Sequence, residues 1–133
     1  MKRLALLGVL LLAGCVREPI SLVSDGAVSV ETVSSDVARV WWADVLAGSR
    51  GIQVTGEVIR RRDWAGDHSG HVEIEVRAPD GRRILMTEAV LEPVPTPGGD
   101  SRRFSFSVTL ADRLPPASTV RVIHHVHDDI HGT

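Results

Sequence analysis

The chain is 133 residues long, 43% hydrophobic, with a formal net charge of −2 and one cysteine. That length holds one domain of ordinary size, and so apolar a chain with so small a net charge is not intrinsically disordered. One Cys excludes an intrachain disulfide framework, and a single apolar run longer than a strand excludes a polytopic membrane protein.

That run lies at the N-terminus. Lys2 and Arg3 precede an apolar stretch, Leu4 to Leu12, broken only by Gly8. A membrane-spanning helix needs about 20 apolar residues and a signal-peptide core about 7–15, so the segment reads as an export signal. Leu12-Ala13-Gly14-Cys15 follows. This resembles the lipobox of bacterial lipoproteins, in which the thiol is acylated and the chain is cut just before the cysteine. The resemblance implies a signal peptide over 1–14 and a lipidated Cys15 at the head of the mature chain. More than one acyl chain on that residue anchors stably where a single chain is marginal. Val16, not an acidic residue, follows Cys15. By resemblance to enterobacterial lipoproteins, this implies attachment to the outer membrane with the domain facing the periplasm.

Residues 15–27 read as the lipidated Cys and a tether, because Pro, Ser, Gly and charge mix there without a period. Residues 28–127 read as one β domain and 128–133 as a C-terminal tail. Val and Ile far outnumber Leu in the mature chain, and side chains branched at Cβ suit a pleated surface. Val37, Val40, Trp41 and Val45 fit a helical stripe capped by Ser35 or Asp36, and they equally fit a strand entering the Gly48–Gly51 turn. The β character of the neighbours favours the strand. Ile52, Val54 and Val58 then alternate with Gln53, Thr55 and Glu57, and Gly56 inside that strand marks a bulge or a close approach. A polar loop spans 61–70. Val72, Ile74 and Val76 alternate with His71, Glu73, Glu75 and Arg77, and Asp80-Gly81 signals a hairpin. The loop at 92–102 holds three prolines and two glycines. Phe104, Phe106, Val108 and Leu110 form the next alternating set, closed by Pro115-Pro116. Val120, Val122 and Val126 form the last, with His124 on their face. Short strands at this spacing predict an all-β fold, a small antiparallel sandwich of six or seven strands with Ig-like architecture.

The pieces Val54-Thr55-Gly56-Glu57-Val58, Gly70-His71-Val72-Glu73-Ile74, Pro79-Asp80-Gly81-Arg82, Phe104-Ser105-Phe106-Ser107-Val108 and Ser118-Thr119-Val120-Arg121-Val122 resemble those of small Gram-negative lipoproteins that carry an Ig-like or transthyretin-like β-sandwich. The resemblance covers more than half of the mature chain and implies a fold; it carries over no activity.

Histidine is the unusual residue. His125 and His127 share one side of a strand and His124 takes the other. With His71, or with Asp128 or Asp129, they offer three ligands for Zn or Cu, metals that imidazole suits. His124, on the apolar face, is expected instead to pack as a buried, hydrogen-bonded side chain. No nucleophile elbow, His-Glu-x-x-His or phosphate loop is present. Asp67-His68-Ser69 contains triad residue types, but adjacent residues do not aim at one point. Glu73 and Glu75 read as the outer face of a sheet opposite Arg77. Arg60, Arg61 and Arg62, with Trp64 nearby, offer guanidinium forks and a stacking ring to an anionic ligand or partner; as a solvated face they would only guard the strand edges. A net-acidic exported domain does not point to nucleic acid. Trp41 and Trp42 cannot both enter one core from a regular strand, so one ring is expected outside it, either exposed to bind a partner or covered by the tether. The expectation is a non-enzymatic, lipid-anchored envelope module that binds a partner or has a structural role. The alternative is a periplasmic Cu/Zn-binding protein using His71, His125 and His127.

Overall fold

The computed structural model describes residues 18–62, 70–99, 102–110 and 113–126. Every element in them is a strand: β1 (Ile20–Ser21), β2 (Ser29–Val33), β3 (Ala38–Gly48), β4 (Gly51–Arg60), β5 (His71–Arg77), β6 (Arg83–Val90), β7 (Glu92–Pro93), β8 (Arg103–Thr109) and β9 (Thr119–His125). They form a five-stranded sheet in the order β1-β3-β4-β8-β7 and a four-stranded sheet in the order β2-β9-β5-β6. All pairings are antiparallel except β2 with β9, which is parallel. The count exceeds the expected six or seven because β1, β2 and β7 are short edge pairings. A two-residue bridge has no periodicity to read in a sequence.

The alternation seen in the sequence sets the core. Val45, Val54, Val58, Phe104 and Phe106 from one sheet face Val72, Ile74, Val76, Val120 and Val122 from the other, all buried in one cluster. Each such valine removed from water contributes about 1.5–3 kcal/mol. The segment 37–46 is strand throughout. Its Val40 and Val45 point inward, while β3 turns into β4 at a two-residue hairpin closed by the Gly48–Gly51 pair. Asp80-Gly81 makes the β5–β6 hairpin as expected. Gly81 takes a φ of 88°, which a side chain disfavours, and Asp80 Oδ1 accepts from the Arg82 N–H.

Part of the expected tether belongs to the domain. Ile20 and Ser21 pair with Ala47 and Leu46 at the hairpin end of β3. Ser21 Oγ donates to Asp44 Oδ1 at 2.7 Å, and the Leu22 N–H donates to Val45 O. Leu22 and Val23 pack on the core. Apolar residues at these positions explain the docking.

Candidate functional site

The predicted histidine pair is brought together by register. His71 opens β5 and His125 closes β9, and the two are cross-strand partners on the outer face of the four-stranded sheet. Their rings stack with centroids 5.4 Å apart and an interplanar angle of 21°. Each Nε2 meets a carboxylate: His125 lies 2.6 Å from Glu73 Oε2, and His71 lies 3.6 Å from Glu88 Oε1. Glu73 and Glu88 are themselves cross-strand partners, so the four side chains form one cluster on this face. In-plane lone pairs of two near-parallel rings do not converge on one ion between them. Among the described residues no group of three His, Cys, Asp or Glu side chains is placed to hold a metal. His127 lies outside the described residues, as do Asp128 and Asp129. His124 is 3% exposed on the inner face, and its Nδ1 is 2.7 Å from Ser35 Oγ, a buried imidazole with a hydroxyl partner.

Beside the histidines runs a charge ladder. Arg77 Nε donates to Glu75 Oε1, Arg121 Nη1 lies 3.5 Å from Glu75 Oε2, and Arg121 Nε lies 3.2 Å from Glu31 Oε2. Glu75 is only 5% exposed. The Arg77 hydrogen bond, with the charges of Arg77 and Arg121, outweighs the cost of burial and holds its carboxyl below the usual value. This ladder cements the sheet; its charges are already matched.

The opposite, five-stranded sheet presents a different surface. The β3–β4 ladder pairs Val40 with Val58 and then Trp42 with Glu57, so Trp41 is an extra residue in a β-bulge. A bulge breaks the two-residue alternation, and both indoles leave on the outer face, Trp41 50% and Trp42 41% exposed. Gly56, across from Ala43, makes room for this: an added Cβ would sit 2.3 Å from Trp42 O and 2.5 Å from the Phe106 ring. The rings are held from the side. Trp42 Nε1 donates to Glu57 Oε2 at 3.0 Å, Arg103 Nη2 donates to both Glu57 oxygens at 2.8 Å, and the Arg103 guanidinium lies 5.1 Å from the Trp41 ring centroid, within cation–π range. The Arg103 hydrogen bond is the main cause of a lowered Glu57 pKa.

One row further along the face stand Arg39, Ile59 and Arg103, cross-strand neighbours on β3, β4 and β8. Arg39, Ile59, Arg60, Arg61 and Arg102 line an open cleft of about 360 Å³. Its rim is tied to the backbone: Arg102 Nη2 donates to Arg60 O at 2.8 Å, the Arg60 N–H to Arg102 O, and the Arg61 N–H to Val37 O. Arg102 Nε is buried with no hydrogen-bond partner among the described residues. Among the described residues no carboxylate lies within ion-pair distance of Arg39, Arg61 or Arg102. Of the predicted contacts, Arg60 and Arg61 are thus at the cleft, Arg62 follows directly and is exposed, and Trp64 lies outside the described residues. Arg39, Arg102, Arg103 and the second exposed tryptophan were not predicted. The arginines lie on or directly beside three strands that only register brings together, and the bulge that turns both rings outward leaves no mark in an alternation pattern.

Cys15, the expected lipidation site, also lies outside the described residues. Set against known proteins, the chain matches no family model, no curated sequence and no solved structure.

Proposed function

We propose that this protein is a lipid-anchored module of the bacterial cell envelope, held in the outer membrane through Cys15 and facing the periplasm, that binds an anionic partner and catalyses no reaction. The lipobox resemblance supports the anchor. One observation carries the binding role: two half-exposed indoles and an arginine-lined cleft lie side by side on a rigid sheet face. Adjoining exposed apolar side chains rimmed by polar groups mark interaction surfaces. Aromatic rings and arginine are also the side chains that most often dominate binding surfaces. The test is position-specific photo-crosslinking in intact envelopes. A photoreactive residue at Trp42 or Arg61 should capture an envelope component, and one at Ile84, exposed on the other sheet, should not. No adduct from the first two positions, or equal adducts from all three, contradicts the reading.

A second reading, a periplasmic Zn or Cu site, draws on the register that sets His71 beside His125. It requires both rings to turn away from Glu88 and Glu73 and to gain His127 as third ligand. Calorimetric titration of the full chain with Zn²⁺ and Cu²⁺ separates the two readings. One-to-one binding at micromolar or tighter affinity, lost in His125→Ala, favours the metal site; weaker or stoichiometrically undefined binding discards it.

A further inference from the structure

The partner's chemistry and its position follow from the same face, and the inference rests on the anchored-module reading above. Three features constrain the ligand. The cleft gathers Arg39, Arg60, Arg61 and Arg102, in a chain whose overall charge is −2, so the local field opposes the net charge and selects anions. Guanidinium forks match the planar or tetrahedral oxygens of carboxylates and phosphates. Next to the cleft, Trp41 and Trp42 offer flat apolar surface. Arg103 occupies the side of the Trp41 ring it approaches at 5.1 Å, and the ring is still half exposed. A ligand that satisfies both parts carries oxyanions at intervals along a body with flat C–H faces.

The fold also fixes where this face stands relative to the anchor. β1 runs antiparallel to β3, with Ile20 opposite Ala47, and Pro19 lies beside Gly48. The chain therefore leaves the sheet towards Cys15 at the hairpin end of β3. Four residues separate Cys15 from Ile20, and the five Cα steps between them reach at most about 18 Å. Arg39 lies eight residues along the same strand from Ala47, about 26 Å away at a rise near 3.3 Å per residue. The cleft is at the opposite end of β3 from Ile20, so on the anchored-module reading it stands away from the headgroups of the anchoring leaflet.

We propose that the Arg39–Arg61–Arg102 cleft and the Trp41 and Trp42 indoles form a binding site for an acidic oligosaccharide, displayed at the end of the domain that faces away from the anchoring membrane. The sugar's carboxylates or phosphates pair with the arginines and its rings lie on the indoles. Neutral sugars lack the first contact and simple anions lack the second.

The test is fluorescence titration of the full chain in detergent micelles. The probes are an oligogalacturonate, a neutral glucan of the same length, inorganic phosphate, and phosphatidylglycerol vesicles. Oligogalacturonate should bind at least tenfold tighter than the glucan or phosphate. Arg61→Gln with Arg102→Gln should lower its affinity at least tenfold, and Trp41→Ala should lower it while leaving the salt dependence unchanged. Far-UV circular dichroism confirms that each variant is folded; Arg61→Gln alone serves if the double variant is not. Equal binding of glucan and oligogalacturonate overturns the proposal, as does wild-type affinity in the variants. Vesicle binding that needs the same arginines, without oligogalacturonate binding, overturns the sugar assignment and leaves the anion-binding module standing. Binding to none of the probes overturns both.

Discussion

Glu75 couples the sheet's charge ladder to pH. It is 5% exposed and clamped between Arg77 and Arg121, and its carboxyl is held below the usual value chiefly by the Arg77 hydrogen bond. A carboxyl lowered in the folded state contributes stability that is fully present above its unfolded value near 4.5 and is lost as pH falls through the folded value. Glu57, lowered by Arg103, acts in the same direction. Denaturant unfolding should therefore show stability level near neutrality and declining below about pH 4.5. Glu75→Gln should cost about 1.5–3 kcal/mol at pH 7, the range for hydrogen bonds to charged groups, and should flatten the acid decline. An unchanged slope in that variant would remove Glu75 from the account.

At the scale of the element, the β3–β4 ladder carries both the fold and the surface. Alternation in the sequence identified which faces of β4, β5, β8 and β9 are buried, because a residue period of two maps directly onto the two sides of a sheet. It failed at Trp41, where one extra residue reverses the alternation, and it gave Gly56 two possible roles. The structure shows the second: the Trp42 carbonyl and the Phe106 ring occupy the space of a side chain. Gly56→Ala should destabilise by about 3 kcal/mol, the upper end of overpacking costs, because one obstructing atom is backbone and cannot move aside. Chemical denaturation measures this. A loss under about 1 kcal/mol would mean that the two strands separate easily at the bulge. The candidate site was legible only in part, for a related reason. Arg60 and Arg61 stand together in the sequence, but Arg39, Arg102 and Arg103 join them through pairing between β3, β4 and β8, which is a property of the sheet and not of any one segment.

Across the whole molecule, the two ends of the sandwich are different. The tether strand and the β3–β4 hairpin share one end, and the arginine cleft and the His71–His125 pair lie at the strand ends remote from it. With the anchor proposed at Cys15, this polarity would become an orientation that holds the arginine-cleft end clear of the bilayer. Cys15→Ala should move the protein from the membrane fraction to the soluble or inner-membrane fraction on envelope fractionation; retention in the outer membrane would refute the anchor. The proposed function requires that the tryptophan–arginine face be covered by a partner in the cell envelope. Hydroxyl-radical footprinting read by peptide mass spectrometry checks this by comparing Trp41 and Trp42 in the purified chain and in intact envelopes. Both indoles should oxidise readily in the purified chain, be protected in the envelope, and lose that protection in the Arg61→Gln, Arg102→Gln variant. Equal oxidation in both settings would contradict the claim.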